Sequence, residues 1–96
     1  MKIQISDSAC DDLNEAQLFY ESQCEGLGSY FQESIFADID SLKFYAGIHF
    51  MAFGKYRLLS KRFPYAIYYT IKSDTVIVSA VLDCRKNLEL IKKRLK

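Results

Sequence analysis

From Gly54 to Lys86 the apolar and polar positions alternate with a period of two, in three consecutive runs. In Tyr65–Ile71, Tyr65, Ile67, Tyr69 and Ile71 fall on one face, and Ala66, Tyr68 and Thr70 on the other. In Thr75–Leu82, Val76, Val78, Ala80 and Leu82 oppose Ile77, Ser79 and Val81. Both of its faces are largely apolar, as expected of a strand near a sheet centre. Tyr56–Ser60 is the first of the three runs, and all are rich in β-branched and aromatic residues. The link Lys72-Ser73-Asp74 suits a hairpin. In the link Lys61-Arg62-Phe63-Pro64, the proline keeps Phe63 extended and interrupts the ladder, which sets two cations at a tight turn.

Upstream the period changes. Ile3 and Ile5 alternate in a short first strand, Lys2–Ile5. Ser6 is placed to cap a helix whose first turns carry Asp7, Asp11 and Asp12, suited to the positive end of the helix dipole. Ala9, Leu13, Ala16, Phe19 or Tyr20, and Cys24 keep helical spacing. Gly26 and Gly28 end that pattern, and a second helix over Ser29–Phe44 aligns Phe31, Ile35, Ile39 and Leu42. Residues 45–54, YAGIHFMAFG, are apolar but hold Gly47 and Gly54, and read as a connection able to hold a strand near His49–Phe53. Residues 87–95 read as a closing helix, with Asn87 as cap and Leu88, Ile91 and Leu95 on one side. The order β-α-α-β-β-β-α predicts an α+β fold: a two-helix hairpin packed on a mainly antiparallel four-stranded sheet, with the other sheet face polar and basic.

Ninety-six residues, half of them apolar, fit one domain spanning residues 1–96. No apolar run approaches the roughly 18 residues of a membrane helix, and MKIQISDSAC turns polar too early for a signal peptide, so a cytoplasmic protein is expected. The odd count of cysteines (Cys10, Cys24, Cys84) points to reduced and mostly buried thiols. No Cys or His spacing suggests a metal, and no cofactor motif is present.

Charge changes the picture more. Residues 1–42 hold one cation, Lys2, and nine anions, whereas residues 43–96 hold twelve cations and three anions. A basic half suggests a surface for phosphate or for an acidic partner. Its cations gather at strand ends and turns: Lys55, Arg57, Lys61, Arg62, Arg85 and Lys86. Arginine forks grip phosphate in two-pronged fashion, and Tyr56, Tyr65, Tyr68 and Tyr69 offer faces on which bases can stack. The single histidine, His49, lies in an apolar run and reads as structural.

Several stretches resemble the RelE/ParE superfamily of bacterial type II toxins. ACDDLNEAQLFYE (Ala9–Glu21) is similar to its first helix and GLGSYF (Gly26–Phe31) to its inter-helix turn. YRLLSKRFPYAIYY (Tyr56–Tyr69) and AVLDCRKN (Ala80–Asn87) are the sharpest matches. The resemblance implies a toxin neutralised by a cognate antitoxin. It implies either ribosome-dependent mRNA cleavage, in which the ribose 2′-OH attacks its own phosphate, or ParE-like inhibition of DNA gyrase. A binding module that only pairs with its antitoxin and represses their operon is the third reading. By the match, Arg57, Arg62 and Arg85 stand where RelE-like toxins carry phosphate-binding, catalytic basic residues. Lys55, Lys61, Lys86 and Tyr65 would then contact RNA. Many members have His before the basic pair near the last strand, or Tyr in the C-terminal tail; this chain has Cys84 before Arg85-Lys86, and neither Tyr nor His follows residue 69.

Overall fold

Ser6 ends one element and begins the next. The computed structural model describes all residues, Met1–Lys96. In it β1 (Lys2–Ile5) leads directly into α1 (Asp7–Gln23), and the Ser6 hydroxyl accepts the Ala9 amide at 3.1 Å. That is the capping role its side chain predicts. The chain reverses at Gly26, which sits in the left-handed region at φ 87°, and continues as α2 (Leu27–Asp40). A break at Ser41 separates α2 from one further turn, α3 (Leu42–Tyr45), so the helix expected over Ser29–Phe44 is two. There follow β2 (Met51–Ala52), β3 (Lys55–Leu59), β4 (Tyr65–Lys72), β5 (Thr75–Asp83) and α4 (Leu88–Leu95). Asn87 caps α4 by accepting the Glu89 amide at 2.7 Å.

The fold is α+β, with a helical hairpin on a mixed sheet ordered β1-β5-β4-β3-β2. The sheet has five strands, one more than expected, because Met51–Ala52 pairs antiparallel with Lys55–Tyr56. All neighbours are antiparallel except β1 and β5, which run parallel with Lys2 opposite Thr75 and Ile5 opposite Val78. No helix is long and apolar enough to cross a membrane.

Two cores sandwich the sheet. The larger joins Leu13 and Ala16 of α1 and Phe31, Ile35 and Ile39 of α2 to Tyr65, Ile67, Tyr69, Val76 and Val78. Tyr20, rather than Phe19, packs inward, its ring stacked 5.0 Å from Phe31. The second core corrects the expected polar face: α4 lays Ile91 and Leu95 on Ala66, Tyr68, Ala80 and Leu82, while Leu88 stays exposed. β4 and β5 are apolar on both faces because both faces are covered. At Ser79 the β4–β5 register shifts, so that Tyr68 faces Ala80 and Tyr69 faces Val78. The bulge turns the Ser79 carbonyl toward the Ser6 hydroxyl at 3.3 Å and Arg94 at 3.5 Å. One carboxylate completes the link, since Asp12 accepts the Val81 amide at 3.0 Å and Arg94 at 2.7 Å.

Cys10 and Cys24 are exposed and Cys84 half-buried, so the thiols are free but not mostly buried as expected.

Candidate functional site

Arg57, Lys61, Arg62, Arg85 and Lys86 gather around the β3–β4 turn and the end of β5, but on different supports, whereas Lys55 starts β3 at the other end. β3 presents Arg57 directly opposite Tyr68 on β4, on the face that α4 covers. The Arg57 Nε donates to the Tyr68 hydroxyl at 3.3 Å and its Nη2 to the Cys84 sulfur at 3.7 Å. Burial works against this guanidinium's charge, but the Tyr68 and Cys84 contacts outweigh it and hold its pKa above the ordinary value. Cys84 is itself fixed by its backbone, which donates to the Pro64 carbonyl at 2.7 Å. The turn ahead of β4 and the end of β5 are thus tied where Arg57 sits.

Arg85 goes to the helical-hairpin face. Its Nε and Nη2 grip the two Asp83 oxygens at 3.0 and 2.7 Å, and its backbone amide adds a third bond at 2.8 Å. The fork holds the Asp83 carboxyl below its usual range and pushes the Arg85 pKa upward. Behind the pair lies a cavity of about 250 Å³ between α1 and the sheet, lined in part by Asp12, Glu15, Phe19, Tyr65, Arg85 and Lys86. Burial pushes the Tyr65 hydroxyl up to about 12, with Tyr20 and Asp83 adding to it.

Arg62 lies over the ring of Tyr30, 5.9 Å from its centroid. With Lys61 it rims a groove of about 210 Å³ whose wall is Ser34, Ala37, Asp38 and Ser41 of α2 and its end. Lys61 shares no strand face with Arg57, because β3 stops at Leu59 and Lys61 belongs to the turn. Lys55 starts β3, opposite Ala52.

The tyrosines depart from expectation. Tyr65, Tyr68 and Tyr69 are core residues, and Tyr56 is stacked on Tyr69 at 5.1 Å. Tyr65 packs edge-on to Phe31 at 5.0 Å and offers no face to a base. The half-exposed aromatic beside a cation is Tyr30, which the sequence reading passed over. Its signal was its place three residues before Glu33 on the polar side of α2, which has no meaning until the turn carrying Arg62 is docked there. His49 is structural in its contacts: its Nδ1 meets the buried Tyr69 hydroxyl, which also accepts the Gly47 amide at 2.9 Å. Burial lowers its pKa. No three His, Cys, Asp or Glu side chains converge to hold a metal ion.

So Arg57 sits on the α4 side, and Arg62 and Arg85 on the hairpin side with separate partners. The arrangement can grip an extended acidic or phosphate-bearing surface at several points.

The fold itself has a solved counterpart. A structure described as the chromosomal ParDE TA system from P. aeruginosa superposes with a TM-score of 0.70, over 84% of this chain and 92% of that chain, at 16% identity. The two share one fold. No family model matches the sequence, and no curated protein matches it. The likeness to the ParDE chain therefore concerns the architecture alone: a helical hairpin on a mixed sheet.

Proposed function

We propose that the chain is the toxin of a type II toxin–antitoxin pair, held by an acidic antitoxin and inhibiting growth when free. One observation carries this reading. Of the twelve cations in residues 43–96, only Lys43, Arg85 and Arg94 make ion pairs, and only Lys43 and Arg94 pair with the acidic half, through Asp40 and Asp12. The positive end is thus left uncompensated, on a fold shared with a ParDE component. Such a field draws an acidic partner and speeds its encounter.

For the target we favour a protein surface, DNA gyrase in the ParE-like manner. Phosphoryl chemistry calls for cations converging on one phosphorus. Arg57, Arg62 and Arg85 are instead held by Tyr68 and Cys84, by Tyr30, and by Asp83. Ribosome-dependent mRNA cleavage is the second reading. It is favoured by the fixed guanidinium of Arg57, whose neighbours leave its charge unneutralised. Brief induction in a bacterial host, followed by a supercoiling assay on purified gyrase and primer extension on mRNA, separates the two. Loss of supercoiling with intact transcripts is expected. Discrete mRNA cuts with supercoiling preserved would replace the gyrase reading with the nuclease one. No growth arrest on induction would remove both.

A further inference from the structure

Along α2 the buried stripe runs Phe31, Ser34, Ile35, Asp38 and Ile39, so two polar residues one turn apart interrupt an otherwise apolar face. Neither side chain has a partner. Ser34 is 6% exposed and its hydroxyl makes no hydrogen bond. Asp38 is 8% exposed, and its carboxylate joins none of the ion pairs. The Ser41 hydroxyl beside it reaches only its backbone carbonyl, at 2.6 Å. Buried polar groups are almost always satisfied, and a buried charge is costly until it is paired. Both residues line the groove of about 210 Å³ whose other wall is Lys61 and Arg62. Those cations do not answer Asp38: Lys61 makes no ion pair, and Arg62 is drawn over the Tyr30 ring.

We propose that this groove is a socket for one basic side chain, Lys or Arg, carried by an acidic segment of a partner protein. A carboxylate only accepts hydrogen bonds, so the group that completes it must donate. A guanidinium or an ammonium donates several and cancels the charge as well. The size fits a single inserted side chain, since sites for whole small ligands run to roughly 300–1,000 Å³. The rim selects the carrier. Lys61 and Arg62 repel an isolated cation, but acidic neighbours of the inserted residue meet them with the opposite sign. The proposal rests on the acidic-partner reading above and adds the contact that fixes such a partner in register.

The probes are two acetylated and amidated peptides, Glu-Glu-Arg-Glu-Glu and Glu-Glu-Gln-Glu-Glu, titrated into the isotope-labelled full chain and followed by nuclear magnetic resonance. The arginine peptide should shift the amide signals of Ser34, Asp38 and Ser41, and should bind roughly tenfold or more tightly than the glutamine peptide. Asp38→Asn should erase that difference. It should not lower the urea midpoint of the free chain, because the carboxylate has no partner to lose. Equal binding of the two peptides would overturn the proposal, and so would a difference that Asp38→Asn leaves intact. A clear loss of stability in Asp38→Asn would overturn it too, by showing that Lys61 or Arg62 already answers the carboxylate. N-acetyl-arginine amide binding as tightly as the arginine peptide would rule out the acidic carrier. Growth plays no part in these titrations, so failure of the toxin reading shows separately, as absence of arrest on induction.

Discussion

Arg57 and Arg85 lie close in the logic of the sequence but differ in what holds them. Arg57 is fixed by two uncharged groups, Tyr68 and Cys84, and keeps its full charge for an incoming anion. Arg85 is answered by Asp83 in a two-pronged pair, which an anion would have to displace. Arg57→Ala should therefore abolish growth inhibition while the fold and antitoxin binding survive. Arg57→Lys should not restore it, because lysine lacks the fork. Under the nuclease reading the loss is roughly 10²–10³ in rate, measured on isolated ribosomes programmed with mRNA. Asp83→Asn should free Arg85, and the variant should elute later from a heparin column. It should also change the acid side of the stability curve. The Asp83 pKa is depressed in the folded chain, so its contribution is present above the ordinary carboxylate value of 3.8 and is lost as pH falls through the lower folded value. Asp12 acts in the opposite sense, because burial raises its pKa and the folded chain takes up that proton more readily. Urea unfolding at neutral and acid pH should show the parent losing more stability than Asp83→Asn on acidification. The basic residues and their turn were legible in the sequence, because charge at strand ends is visible in one dimension. The placement of Tyr65 was not. Alternation shows which face a residue takes, and only the docked helices show which face is covered.

Among elements, the α1–α2 turn is a crowded junction. Glu21 holds it by accepting the amides of Gly26 at 3.0 Å and Gly28 at 2.9 Å. A Cβ on Gly28 would stand 2.7 Å from the Gln17 carbonyl, which is backbone and cannot step aside. Gly28→Ala should destabilise the chain by about 1–3 kcal/mol in urea unfolding. Gly26 is constrained differently, by its left-handed φ rather than by crowding. Strands β3, β4 and β5 and helices α1 and α4 were readable because their periods are sustained and their caps, Ser6 and Asn87, are of the right type. Strand β2 was harder to read, since two residues establish no period and the pairing with β3 decides it. The role of α4 was half legible. Its apolar stripe was plain, but its seat on Tyr68 and Leu82 depends on Arg94 reaching Asp12 across the molecule.

At the scale of the whole molecule, the separation of charge is the dominant feature. Co-expression with the gene beside this one should yield a complex whose association slows steeply as salt rises. Stopped-flow rates indifferent to ionic strength would count against the electrostatic part. Mass analysis without reductant should find three free thiols, two of them reacting quickly because Cys10 and Cys24 are exposed. The parallel union of β1 with β5 has a consequence of another kind. Lys2–Ile5, the first strand in the chain, find their partners in Thr75–Val78 of the last. Until that segment is in place, the sheet cannot close and the helical hairpin has nothing complete to rest on. Contacts so distant along the chain also slow folding. The sheet therefore stays open until its last strand is present, and the strands farthest apart in the chain meet as neighbours.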